Sequence, residues 1–161
     1  MKKSTKGFSL IELLIVVAII LIIAAIAIPN LLRSRIAANQ ASAVGSLRTL
    51  NTAEITYSST YNVGFSYSMA YLMPPTTAGA NPTSTAAGLI DSVLGSGAKS
   101  GYSFTYTPGN SDSTGRINTY TFTAVPITSS TGTNYYFTDQ SGVIRQNSTT
   151  TAFATDSPIA G

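Results

Sequence analysis

The chain has 161 residues, which allows one domain of ordinary size together with a targeting or anchoring segment. Only 9% of the residues are charged, which favours a membrane or secreted protein. Cysteine and histidine are absent, and without cysteine the chain can form no disulfide and perform no thiol chemistry. The net charge of +3 comes from Lys2, Lys3 and Lys6, because the remaining basic and acidic residues balance, so the basic pI indicates no nucleic-acid partner.

Residues 8–28 form the first predicted element, since only Ser9 and Glu12 are polar among them. As a helix they would span about 32 Å, close to the roughly 30 Å of a bilayer core. The preceding lysines predict a cytoplasmic N-terminus. A removed secretory signal peptide is the alternative, but the apolar run is longer than such peptides need, and residues 25–29 make a poor cleavage site.

A second helical pattern continues to about residue 61. Its apolar positions recur at helical spacing: Leu32, Ile36, Ala43, Val44, Leu47, Leu50, Tyr57 and Tyr61. Polar residues are expected on other faces: Arg33, Arg35, Asn39, Arg48 and Glu54. Pro29 predicts a kink between the two patterns, and Gly45 weakens the helix further on. No small domain buries so long a helix alone, so its N-terminal half needs lipid or other copies.

The rest of the chain predicts loops and then strands. Residues 62–100 are rich in Gly, Pro, Ser and Thr, with a short helix predicted at 86–94 that ends at Gly95. Alternating or apolar runs predict four strands, at 102–106, 120–124, 135–138 and 143–146, the last two joined by a hairpin turn at 139–142. The tail from Asn147 is predicted to be irregular. The predicted fold class is therefore α+β, a long N-terminal helix packed on a small antiparallel sheet.

Glu12 is the unexpected residue of the apolar segment, because a carboxylate within hydrocarbon is costly and usually functional. By position alone it could equally lie at the membrane interface, where the cost is small. Residues 6–30, with GFSLIELLIVVAII directly after a short basic leader, resemble the prepilin signal of type IV pilins and the related pseudopilins. The layout of long helix, variable segment and C-terminal sheet resembles this family more loosely, so a pilin-like fold is expected.

The resemblance implies a processing site and a domain organisation. A membrane-bound prepilin peptidase would cut between Gly7 and Phe8, and Phe8 would then be N-methylated. Residues 1–7 would be the cleaved leader, 8–30 the membrane-spanning and filament-core helix, and 31–161 the globular head, with its helix to about 61, a variable segment at 62–100 and sheet and tail at 101–161. Glu12 would meet the new Phe8 amine of a neighbouring subunit, because a paired charge in a filament core costs less than two unpaired ones.

The expected function is a structural subunit of a type IV pilus, polymerised through its N-terminal helix. Its expected partners are other copies of itself, the prepilin peptidase, the inner-membrane assembly machinery and, for the precursor, the membrane. The expected location is the inner membrane as a single-pass precursor and then an extracellular pilus. The alternatives are a pseudopilin of a type II secretion system, forming a periplasmic fibre, and a membrane-tethered binding module that does not polymerise.

No other pattern indicates chemistry. Without His or Cys, and with scattered acids, no nucleophile–base pair is available, so neither an enzyme nor a bound cofactor or metal is expected. Asp112 and Asp139 are better interpreted as turn formers than as calcium ligands. The basic side chains of the second helical segment are expected to be a solvated face, with no nucleic acid indicated. The Asn147-Ser148-Thr149 triplet fits a glycosylation acceptor, but so short a match often arises by chance.

Overall fold

A computed structural model describes residues 7–159, so Lys2, Lys3 and Lys6 of the leader lie outside the described residues. The described residues divide into two compact units, one ending at Arg35 and the other beginning at Ile36. One helix, α1 (Leu10–Tyr61), begins in the first unit and ends in the second. It starts two residues later than the prediction, because Phe8 and Ser9 are not helical.

Pro29 lies inside α1, with helical residues on both sides of it. Proline has no amide hydrogen, so the carbonyl of Ala25, four residues earlier, receives no ladder bond from this position. The kink at Pro29 stays a prediction. Gly45 is also helical, and its position is open, since a Cβ built there would meet no atom within 4 Å.

Within the second unit, α1 buries one stripe of side chains whose members follow one another at three- and four-residue steps, and so share one face. They are Ala43, Ser46, Leu47, Leu50, Asn51, Ala53, Glu54 and Tyr57. The opposite face carries hydroxyl groups that donate to the carbonyl four residues earlier, at 2.8–3.1 Å, from Thr49, Thr52, Thr56 and Ser59. These exposed hydroxyls are therefore satisfied by the helix itself.

The prediction was wrong for three residues of the helical pattern. Glu54 was expected on a polar face, yet it is fully buried, because it follows Leu50 by four residues and Asn51 by three. Asn39 is half-buried, and its Nδ2 donates to the Thr131 carbonyl at 2.9 Å. Leu32 was expected in the buried stripe but is 47% exposed. Glu54 and Asn39 were assigned to an exposed face because their side chains are polar, although their spacing places them near the buried stripe. Leu32 is exposed because it precedes the part of α1 that meets the sheet.

Five antiparallel strands form one sheet in sequential order. They are β1 (Ala98–Lys99), β2 (Tyr102–Pro108), β3 (Tyr120–Pro126), β4 (Tyr135–Asp139) and β5 (Arg145–Asn147). The predicted strands correspond to β2–β5, whereas β1 was missed because two residues form no pattern. The sheet packs its aromatic face on α1, and the predicted α+β fold class is confirmed.

The contact between helix and sheet combines a hydrophobic core with one polar bridge. Tyr102, Tyr120 and Phe122 are almost fully buried in the same cluster as the α1 stripe. At its centre, Asn51 of α1 donates to the Thr138 hydroxyl at 2.9 Å and accepts from the Tyr120 hydroxyl at 3.1 Å. Because buried polar groups are costly unless paired, this bridge fixes the register of α1 on β3 and β4.

The segment between α1 and the sheet contains a 3₁₀ helix (Met69–Leu72) and a short helix, α2 (Ser92–Gly95). The prediction of a helix at 86–94 was wrong about its start. Residues 87–90 instead pair with the 3₁₀ helix, as in the bond from the Leu89 amide to the Leu72 carbonyl at 2.8 Å. Asp91 caps α2 by accepting from the Leu94 amide at 2.8 Å, and it forms an ion pair with Lys99 at 2.9 Å.

The irregular tail is held to β5 by a group of hydrogen bonds that we call the tail clasp, residues 144–159. The Ile159 amide donates to the Ile144 carbonyl at 2.9 Å, and the Gln146 amide donates to the Ser157 carbonyl at 3.0 Å. Asp156 accepts from Asn147 Nδ2 at 3.0 Å and from the Phe153 amide at 2.7 Å. The tail therefore closes on the sheet through backbone and side-chain hydrogen bonds.

Candidate functional site

The predicted processing site lies just before α1. Gly7 and Phe8 are exposed and non-helical, and the Phe8 side chain is 80% exposed. A Cβ added to Gly7 would meet nothing within 4 Å among the described residues. The fold of the described chain therefore places no steric demand for glycine at this position.

Glu12 lies in the first turn of α1 and is exposed. Its Oε2 accepts a hydrogen bond from the Ser9 backbone amide at 2.9 Å. The sequence analysis linked Glu12 to the membrane interface and to a neighbouring subunit but missed this contact. The spacing Ser9-Leu10-Ile11-Glu12 could have revealed it, since a Glu three residues after a Ser is the usual arrangement of a capping box at the start of a helix.

The first half of α1 is an apolar surface that the described chain does not cover. Among residues 7–159, α1 is the one helix that is long and apolar enough to cross a membrane. No residue of its most apolar 18-residue stretch is buried. Its large side chains from Leu10 to Leu32 are 46–76% exposed. A surface of this kind marks a membrane or protein contact, because soluble proteins rarely expose large contiguous apolar patches. The retained membrane helix is thus physically consistent with the structure.

A buried carboxylate, Glu54, ties the end of α1 to the segment that follows it. Its two oxygens accept from the Ser66 amide at 2.9 Å and from the Ser66 hydroxyl at 2.6 Å. The Ser66 carbonyl in turn accepts from the Tyr106 hydroxyl of β2. Burial raises the pKa of the Glu54 carboxyl above its ordinary value, although the bonds from Ser66 partly oppose that shift. Glu54 has a structural role, since it lies inside the core and both of its carboxylate oxygens accept hydrogen bonds from Ser66.

The loop carboxylates have turn-forming contacts. The Asp112 carboxylate accepts from the Thr114 hydroxyl at 2.6 Å, from Asn118 Nδ2 at 2.9 Å and from the Thr114 amide at 2.8 Å. These hydrogen bonds hold the pKa of the Asp112 carboxyl well below its usual range. Asp139 Oδ1 accepts from the Ser141 amide at 2.9 Å in the predicted hairpin turn. Among residues 7–159 no group of three or more potential ligands could hold a metal ion.

Two further predicted features have different outcomes. Arg33, Arg35 and Arg48 are exposed on α1, as expected for a solvated face. The side chain of Asn147 is engaged in the fold, because its Oδ1 accepts from the Thr149 amide at 2.9 Å while its Nδ2 belongs to the tail clasp. The side-chain nitrogen therefore already donates one of its two hydrogens, and the glycosylation acceptor stays a prediction.

Comparisons with known proteins match the N-terminal segment. Residues 2–28 match the family described as the prokaryotic N-terminal methylation motif. The type IV major pilin protein PilA of Myxococcus xanthus is 53% identical over 49 residues, which are 30% of this chain and 22% of that protein. The type IV wide pilus major component PilA4 of Thermus thermophilus is 65% identical over 37 residues, 23% of this chain and 28% of that protein. No solved structure gives a significant match.

These matches define the class of the N-terminal segment. The chain carries a prepilin-type signal, of the kind found in type IV pilins, in front of a pilin-like α+β fold. The matched regions span less than a third of either relative, so the similarity to those two proteins is limited to that part of their length. The predicted resemblance to type IV pilins is confirmed.

Proposed function

We propose that this protein is a structural, non-enzymatic subunit of a type IV pilus, polymerised through the first half of α1. The observation that carries the proposal is that the methylation motif at residues 2–28 coincides with the exposed apolar half of the helix. Both matched relatives are named as major pilus components, which supports the same role here. Copies of the chain would cover one another's apolar surfaces once the helix leaves the membrane.

Processing by a prepilin peptidase is part of the proposal. Hydrolysis of the Gly7–Phe8 peptide bond would leave a carboxylate on Gly7 and an amine on Phe8, which would then be methylated. Since a Cβ on Gly7 would touch nothing among the described residues, the glycine is better explained by the needs of a peptidase than by this fold. Glu12 would pair with the Phe8 amine of a neighbouring subunit, because a carboxylate facing a cation in an apolar core costs far less than one left alone.

The proposed location follows from the same segment. The precursor would be a single-pass protein of the inner membrane with a cytoplasmic N-terminus, and the assembled subunit would be extracellular. Other copies of the chain and the inner-membrane assembly machinery would be its partners. The second unit, with its own buried core, would form the surface of the fibre.

The test compares Gly7→Val with Gly7→Ala in cells that produce the peptidase. Gly7→Val should leave uncleaved precursor on an immunoblot, whereas Gly7→Ala should still be cut because alanine is small. Mass spectrometry of the wild-type product should find N-methylated Phe8 at its start, and electron microscopy should find long surface fibres of this chain. A mature-sized Gly7→Val product would contradict the processing step. Short periplasmic fibres would identify a pseudopilin instead, and a processed monomer would indicate a tethered binding module.

A further inference from the structure

We propose that Glu12 has a role within its own chain before the cut: it caps α1 so that the helix begins after the Gly7–Phe8 bond. This inference rests on the proposed processing and assigns Glu12 as a positioning residue for it. The carboxylate would hold Ser9 at the N-cap position and keep the peptide bond to be cut outside the helix. Its pairing with a neighbouring subunit would follow later.

The contacts at the start of α1 support this role. Glu12 Oε2 accepts from the Ser9 amide at 2.9 Å, and the first bond of the helical ladder joins the Leu13 amide to the Ser9 carbonyl at 3.2 Å. Ser9 is therefore the last residue before the helix, and Glu12 is its third helical residue. The first amides of a helix have no partner within the ladder, and a carboxylate at this position satisfies one of them. Such a bond has greater weight in hydrocarbon, where no water replaces it.

The position of the helix start decides whether the Gly7 carbonyl is free. In an α-helix each amide donates to the carbonyl four residues earlier, so a helix extended by two residues would bond the Ile11 amide to the Gly7 carbonyl. That carbonyl is the group that a peptidase must attack. With the helix starting at Leu10, the ladder ends at Ser9, and the Gly7 carbonyl accepts no backbone hydrogen bond from residues 7–159.

One carboxylate can serve both roles because it has two oxygens with room for several donors. Oε2 accepts from Ser9, and no hydrogen bond to Oε1 occurs among residues 7–159. The cap would therefore hold the side chain in place while leaving the second oxygen for the amine that appears after the cut. Glutamine can cap in the same way but carries no charge, so Glu12→Gln separates the two roles.

The test uses the full-length precursor in detergent micelles, as wild type, Glu12→Gln, Glu12→Leu and Ser9→Ala. Glu12→Leu should speed hydrogen exchange of the Ser9 amide about fivefold, the usual loss when a helix cap is removed. Purified prepilin peptidase should still cut it to completion, but with kcat/KM lowered by about the same factor. Glu12→Gln should restore both values to near wild type while failing to assemble. Ser9→Ala is the matched control, since it keeps the backbone amide that makes the contact and removes a hydroxyl that forms no hydrogen bond among residues 7–159, so it should be cut at the wild-type rate.

Two results would overturn the inference. Equal Ser9 exchange rates in wild type and Glu12→Leu would show that no cap exists. Equal kcat/KM values for these two proteins, with a faster-exchanging Ser9 amide in the variant, would show that the cap does not affect cutting. Either result leaves the proposed processing intact, whereas a wild-type precursor that the peptidase does not cut at all would overturn the proposed function itself.

Discussion

The two halves of α1 have opposite relations to their surroundings. In the first half the large apolar side chains are 46–76% exposed, and in the second half Leu47 and Leu50 are fully buried. The first half is almost uniformly apolar around its circumference, whereas the second alternates a buried stripe with a face of small and hydroxyl residues. A helix that is apolar all round is stable only inside another medium. The second half therefore gains its stability within the chain, whereas the first half needs an apolar environment that the described chain does not supply.

Removal of the Glu12 carboxylate should have the largest effect, and that effect should be on assembly, far beyond the roughly fivefold slower cutting expected when the cap is lost. Glu12→Ala should still be cut and inserted, but filament yield should fall by about a hundredfold or more, because the partner amine would lie unpaired in an apolar core. Yield is measured by shearing and quantifying surface fibres. The midpoint of thermal unfolding of the second unit should stay that of the wild type. A normal fibre yield would refute the role of Glu12 in assembly.

Phe122→Ala should have the opposite pattern. This side chain is 0% exposed between α1 and the sheet, and its truncation should lower the free energy of unfolding by about 3–5 kcal/mol. Urea unfolding of the full chain in micelles, followed by tyrosine fluorescence, measures the loss. Phe153→Ala is the control, since that ring is 58% exposed and should cost less than about 0.5 kcal/mol. Equal costs for the two variants would mean that the described core is wrong.

The buried Glu54 should make the stability of the second unit depend on pH. Because burial raises the pKa of this carboxyl above 4.5, the folded state binds the proton more tightly than the unfolded chain does. Its contribution to the free energy of unfolding is therefore fully present below about pH 4.5 and is lost as the pH rises through the pKa of the folded state. Glu54→Gln should remove this dependence, so the variant should gain stability relative to wild type as the pH rises above about 4.5.

A second variant separates charge from hydrogen bonding at the same position. Glu54→Leu should lower the free energy of unfolding by about 1–3 kcal/mol at every pH, because it leaves the Ser66 amide and hydroxyl without their acceptor. Denaturation of both variants over the same pH series is the measurement. If the difference between wild type and Glu54→Gln were constant with pH, the carboxyl would not titrate in a buried site.

The smallest effect is expected at α2. Asp91→Ala should cost about 1 kcal/mol, since it removes the side chain that accepts from the Leu94 amide. Asp91→Asn keeps an acceptor but loses the ion pair with Lys99, so it should cost only a few tenths of that amount, as exposed pairs contribute little. Hydrogen exchange of the Leu94 amide distinguishes the two. Equal exchange rates would show that the ion pair, and not the cap, holds α2.

Much of the fold was readable from the sequence where a pattern repeats. The alternation of Tyr102, Phe104 and Tyr106 predicts a strand with one buried face, and the spacing of Leu47, Leu50 and Tyr57 predicts the buried stripe. Glu54 was misplaced because a carboxylate is usually exposed, and only the three-dimensional position of Ser66 explains its burial. The helix start at Leu10 was missed because the largely apolar run already begins at Phe8.

The candidate site was readable only in part. A motif match can place Gly7, Phe8 and Glu12 in one segment, because their order along the chain is what the motif records. The contact between Glu12 and Ser9 required the geometry of the helix start. The proposed partner amine would belong to another copy of the chain, so neither the sequence nor the fold of one chain can contain it.

The tail clasp has a consequence for how the second unit reaches its final fold. Hydrogen bonds around Asp156 close the C-terminal segment on β5, and cysteine is absent from these 161 residues. Closure therefore needs no oxidant and no disulfide exchange step, which takes seconds to hours. Reducing agents should leave the melting curve of the second unit unchanged, because the folding of this segment does not depend on the redox state of its compartment.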